Sequence, residues 1–154
     1  MNNRKIALLA IPVFAAIMIG ATVAPANAQP IHIVSVDIKP GSDPNSINVN
    51  SKGLLPVAIF GSPDFDVTQI DTETVDFDIL DVNGSTLATR CNIEDVDGDG
   101  IDDMVCFFKI KDIAHKCIGD FPIGQIQGEL VDGTPFRGFD EVRWVNCKHF
   151  DPDV

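Results

Sequence analysis

Between Ile93 and Phe108 the chain reads Ile-Glu-Asp-Val-Asp-Gly-Asp-Gly-Ile-Asp-Asp-Met-Val-Cys-Phe-Phe. Asp95, Asp97 and Asp99 stand at alternate positions, Gly100 follows the third, and Asp103 closes the run. That is hard-cation chemistry. Calcium takes six to eight oxygen ligands at about 2.3–2.6 Å, and carboxylates at every second position of a tightly wound loop converge on one point. Gly100 supplies the sharp turn that lets the carbonyl of Ile101 point inward, and Asp103 then completes the shell directly or through a water. The expected ligand set is therefore Asp95, Asp97, Asp99, the Ile101 carbonyl and Asp103, with Ca²⁺ as cofactor. The four aspartates of this set repel one another when no cation is bound. An Asp-Gly turn by itself needs only one of them. Magnesium, or a solvated acidic turn with no metal, is the competing reading.

The other acidic residues carry less. Asp76 and Asp78 alternate along one segment and read as the solvated face of a strand. Asp64, Asp66 and Asp71 lie near turns and are candidates for a second ion. Glu94 borders the loop as an outer-shell acceptor or a turn cap. Nothing points to catalysis. His32, His115 and His149 are scattered, and the chain contains neither H-E-x-x-H nor G-x-S-x-G. A dyad of His115 and Cys117 needs a free thiol, which an exported protein rarely keeps. Asn83-Gly84-Ser85 forms an N-glycosylation sequon on an expected hairpin tip.

The four cysteines are Cys91, Cys106, Cys117 and Cys147. An even count in an exported domain favours two disulfides, and the absence of any C-x-x-C pair argues against zinc. Three connectivities are open to four cysteines. Cys91 and Cys106 lie almost symmetrically about residues 95–103, so an antiparallel hairpin tipped by that loop sets them opposite each other. Cys117 then pairs with Cys147 by elimination.

The elements that must hold this loop read as strands. Val34, Val36 and Ile38 alternate with Ser35 and Asp37, and Ile47 and Val49 share a face. Residues 54–60 form a near-continuous apolar run in which Pro56 marks an edge or a bulge. Val75, Phe77 and Ile79 alternate over residues 74–81. Asn83-Gly84 signals a two-residue hairpin into residues 85–91. Residues 104–110 are apolar and aromatic. Residues 124–131 and 134–139 flank Asp132-Gly133 as a second hairpin, and residues 141–145 form a last strand carrying Trp144. Short strands at this spacing, with no helical periodicity, predict an all-β fold: one antiparallel β-sandwich, immunoglobulin-like or jelly-roll-like.

Composition bounds the rest. The chain has 154 residues, 11 Lys+Arg and 23 Asp+Glu. Residues 1–28 read as a signal peptide: Arg4 and Lys5, an apolar core, then Ala26-Asn27-Ala28 as a small-x-small cleavage site. A retained anchor is the alternative, although Pro12 and Gly20 interrupt the apolar core. Residues 29–154 form the domain, with nine bases against 23 acids, a formal charge of −14. Such a surface repels phosphate backbones, which argues against nucleic-acid partners. It retains only Ala58, Ala88 and Ala114 among alanines, consistent with strands. The mature chain has no further hydrophobic segment able to span a membrane.

The acidic loop departs from an EF-hand, because position 12 is Cys106 in place of a bidentate Glu and the flanks are strand-like. It resembles the D-x-D-x-D-G-x-x-D loops on hairpins of integrin-type propeller repeats. That likeness covers nine residues and carries the ligand pattern, not the propeller. A wider resemblance rests on Val36-Asp37-Ile38-Lys39-Pro40-Gly41-Ser42, Pro44-Asn45-Ser46-Ile47-Asn48, Ser51-Lys52-Gly53 and Pro56-Val57-Ala58-Ile59-Phe60-Gly61. It continues through Phe65-Asp66-Val67, Ile70-Asp71, Thr74-Val75, Asp95-Val96-Asp97-Gly98-Asp99-Gly100, Gly128 and Asp132-Gly133-Thr134-Pro135. These blocks resemble an uncharacterised exported β-domain of bacteria and archaea found in surface and secreted proteins. The resemblance spans nearly all of residues 29–154 and implies an extracellular setting and a calcium loop. It implies no activity, and the cysteines lie outside it.

The expected function is a secreted or cell-surface calcium-binding structural or interaction module without catalytic activity, its partners being calcium and a surface protein or glycan. The alternative is a calcium-dependent carbohydrate-binding or adhesion domain.

Overall fold

The computed structural model describes residues 30–113, 117 and 122–147. The expected leader, His115 and His149 lie outside the described residues. The fold is all-β, as the periodicity predicts. The strands are β1 (His32–Val34), β2 (Val36–Ile38), β3 (Ser46–Asn48), β4 (Leu54–Ile59), β5 (Ile70–Ile79), β6 (Thr86–Leu87), β7 (Arg90–Glu94), β8 (Asp103–Lys109), β9 (Ile123–Leu130), β10 (Pro135–Glu141) and β11 (Arg143–Val145). A five-stranded sheet in the order β1-β10-β9-β5-β6 faces a four-stranded sheet in the order β2-β4-β8-β7, with β11 and β3 forming a separate pair. Val57, Ile59, Cys106 and Phe108 from one sheet meet Val75, Phe77, Ile126 and Phe136 from the other in one buried core. Phe77 and Phe108 touch across it, ring centroids 5.5 Å apart. This is a β-sandwich.

Several expected strands are divided. The run 32–38 changes sheet at Ser35: β1 joins β10, and β2 joins β4. The inward stripe survives the switch, because Val34 and Val36 both pack on the core and Ile38 is buried within it. Residues 85–91 are likewise split, β6 pairing with β5 and β7 with β8. Two pairings, β1 with β10 and β3 with β11, are parallel. Asn83-Gly84 lies inside a six-residue connection, so the two-residue hairpin does not form. Asp81 and Gly84 there both have positive φ. Asp132-Gly133 does turn β9 into β10, with Gly133 at φ +83° donating to the Leu130 carbonyl at 2.8 Å.

Pro56 is neither at an edge nor at a bulge. It sits within the central strand β4, opposite Phe107 of β8. In a strand, a residue's N–H and C=O point to the same side. The Pro56 carbonyl accepts from Lys39 N at 2.8 Å, so its missing N–H falls on the β2 side, past the last β2 pairing at Ile38–Val57. The β8 ladder loses nothing.

Candidate metal centre

The acidic loop joins β7 to β8, and the register of that hairpin is fixed from below. Cys91 pairs with Cys106 in the ladder, and the two form a disulfide; Cys117 and Cys147 form the second. Both expected pairings are found. Ladder pairing continues up to Glu94 opposite Asp103, at the mouth of the loop.

Above that mouth the backbone winds around its own carboxylates. Asp95 Oδ1 accepts from Gly98 N at 2.8 Å, and its Oδ2 accepts from Gly100 N at 3.1 Å. Asp97 Oδ1 accepts from Asp99 N at 3.1 Å, and Asp99 Oδ1 accepts from Ile101 N at 2.7 Å. These side-chain-to-backbone bonds are the usual reason Asp and Gly share tight turns. Gly98 and Gly100 have φ of +78° and +87°, a region where other L-residues are strained. One carboxylate oxygen from each of Asp95, Asp97 and Asp99 lies within 4.8 Å of the other two, and all three residues are exposed.

Asp103 takes another place. It is buried at the base of the loop, where Oδ1 accepts from Gly61 N at 2.8 Å and Oδ2 from Val96 N at 2.8 Å. The structure thus brings three of the four expected carboxylates together and sets the fourth beneath them as a clip. Gly61, which follows β4, was not legible as part of this arrangement. A Cβ there would collide with the Asp102 carbonyl, so the β4 end and the loop base approach as closely as bare backbone allows. Asp97 also borders an open hollow of about 640 Å³, shared with His32, Ser35, Phe60, Ser62 and Asp64. His32 rests against Phe65, ring centroids 5.7 Å apart.

The candidates for a second ion do not assemble. Asp66 caps a 3₁₀ turn (Val67–Gln69) by accepting from the N–H and the hydroxyl of Thr68 at 2.9 and 2.6 Å. Those bonds hold its carboxyl below the ordinary aspartate value. Asp71 accepts from Glu73 N at 3.1 Å. Among the described residues, the only cluster of three acids is Asp95, Asp97 and Asp99. Glu94 ends β7 in an exposed position, and Asn83 is exposed on the loop between β5 and β6.

Asp76 and Asp78 are not simply solvated. They point outward from β5 but are half-buried among β9 amides. Gln127 Nε2 donates to Asp76 Oδ1 at 3.1 Å, and Gln125 Nε2 donates to Gln127 Oε1 at 3.1 Å and to Asp78 Oδ2 at 3.4 Å. Desolvation raises both carboxyls above their ordinary value; Asp76 raises Asp78 further, while Arg137 pulls it back. Alternation marked these positions as outward-facing but carried no signal for the glutamines across the ladder.

Among the described residues, no helix is long and apolar enough to cross a membrane. Compared with protein-family models, with curated proteins and with solved structures, the chain matches none of them.

Proposed function

We propose that this chain is an exported calcium-binding module of the cell surface or medium, structural or interactive in role and without catalytic activity. The observation that carries the reading is the convergence of Asp95, Asp97 and Asp99 within 4.8 Å on a loop already wound by its own hydrogen bonds. In this reading the ion is Ca²⁺, held by these three carboxylates and the Ile101 carbonyl, with water completing the shell. Asp103 supports the loop from below. The ion removes the mutual repulsion of three exposed carboxylates and fixes the turn that joins β7 to β8. Export accords with the sequence of residues 1–28, the two disulfides and the acidic surface. The likeness to exported bacterial and archaeal β-domains belongs to the same proposal.

Isothermal titration of the metal-stripped protein with calcium tests the function. We expect one site with a dissociation constant of about 10⁻⁴–10⁻³ M, the range of extracellular modules, lost in Asp97→Ala. No heat in the wild type, or equal binding by the variant, would refute it. Export is tested separately: the N-terminus of protein recovered outside the cells is expected at Gln29, and an intact Met1 in the membrane fraction would contradict it.

A further inference from the structure

The outer face of the five-stranded sheet carries a second constellation, sharing no residue with the acidic loop. Ile33, Arg137, Gln127, Asp76 and Leu87 stand opposite one another on β1, β10, β9, β5 and β6. Strands about 4.8 Å apart make this row a strip roughly 19 Å long. Phe139, Gln125 and Asp78 form the adjacent row.

The middle of the strip is polar and locked. Gln127 bonds to Asp76, and Gln125 bridges Gln127 and Asp78. Gln125 is only 7% exposed despite facing outward. Asp78 Oδ1 is buried and has no hydrogen-bond partner among the described residues, although buried acceptors are nearly always paired. The ends are apolar and open: Ile33 is 70% exposed, Leu87 62% and Phe139 40%. A shallow hollow of about 240 Å³ between Asp76, Gln127, Glu129 and Arg137 indents the same face.

The donor and acceptor pattern selects the class of ligand. Arg137 only donates, the carboxylates only accept, and the glutamines do both. An anionic chain meets Asp76, Asp78 and Glu129. A cationic one meets Arg137, between Ile33 and Gln127 in the strip. A sugar hydroxyl both donates and accepts, so a neutral polyhydroxyl chain can use every group, while its apolar ring faces cover the exposed Phe139 and Leu87. Side chains already fixed by mutual bonds lose little rotamer freedom on binding. We propose that this face binds a neutral polysaccharide chain, with Arg137, Gln127 and Asp76 pairing with its hydroxyls. The proposal does not depend on calcium binding.

Native affinity electrophoresis of the full mature chain tests it, in gels containing hydroxyethylcellulose, galactomannan, xylan or dextran, with polyanionic alginate for comparison. At least one neutral polysaccharide should retard the protein and alginate should not. Gln127→Ala and Arg137→Ala should each raise the dissociation constant at least tenfold, with EDTA and Asp97→Ala leaving it unchanged. Leu87→Arg obstructs the strip from an exposed position and should also abolish retardation, which keeps the test valid if the glutamine variant misfolds. Retardation by none of the neutral polysaccharides, or by alginate alone, overturns the proposal. So does retardation that persists in Arg137→Ala and Leu87→Arg. Loss with EDTA and Asp97→Ala but not with the face variants would move the sugar to the acidic loop and equally overturn it.

Discussion

Asp78 stands half-buried on the outer face of β5, its Oδ2 accepting from Gln125 Nε2 at 3.4 Å. Asp78 is pushed up from its ordinary value by desolvation first and Asp76 second. A carboxyl whose folded value exceeds its unfolded one binds protons more readily in the folded state. Stability then falls as pH rises from the ordinary aspartate value through the folded one, and the penalty stays constant above. Asp78→Asn removes it. The variant should melt with the wild type near pH 3 and above it at pH 7, the gap opening from about pH 4 upward. Thermal melts across that range check this; a gap that is constant or reversed would show that the carboxylate is not penalised. The group is partly solvated, so the effect is small.

At the scale of elements, the β7–β8 hairpin is a rigid stem beneath a charged tip. Its lower end is tied by the Cys91–Cys106 bridge, whose closure of about 15 residues is worth about 3 kcal/mol in the chain-entropy model. Its upper end is tied by Asp103, which holds Gly61 after β4 and Val96 within the loop. Asp103→Ala leaves two amide donors without their acceptor at a buried site and should cost about 2–4 kcal/mol. Because the clip lies below the cluster, that loss should appear in EDTA and in calcium alike when followed by urea unfolding. A loss confined to the calcium-loaded protein would make Asp103 a ligand and not a clip. The stem was legible because Cys91 and Cys106 flank the loop evenly and strand alternation fixes which faces meet. The role of Asp103 was not legible, because ninth-position spacing says nothing of Gly61, 42 residues earlier in sequence. Pro56 was misplaced for a related reason: its tolerance depends on where β2 stops, a property of the partner strand. The unbroken alternation of Val34, Val36 and Ile38 likewise concealed a change of sheet, since inward residues of both sheets face the same core.

At the scale of the molecule, the fold class followed from short alternating strands, but the sheet order and the two parallel pairings depend on long-range contacts that periodicity does not encode. The sandwich presents two separate polar surfaces: an acidic tip at the end of the β7–β8 hairpin and a polar strip on the outer face of the five-stranded sheet. The tip governs the calcium account. Charge gathered on a loop between the edge strand β7 and the core strand β8 couples ion binding to folding, so occupancy should be read as stability. At ten times the dissociation constant, linkage gives about 1.4 kcal/mol, or roughly 3–6 °C for a domain of this size. Differential scanning calorimetry of the mature protein, stripped of metal and then scanned in EDTA and in millimolar calcium at constant ionic strength, measures this directly. If the tip binds calcium, the wild type melts several degrees higher in calcium than in EDTA and Asp97→Ala shows no rise; an unchanged melting temperature in the wild type would rule the site out.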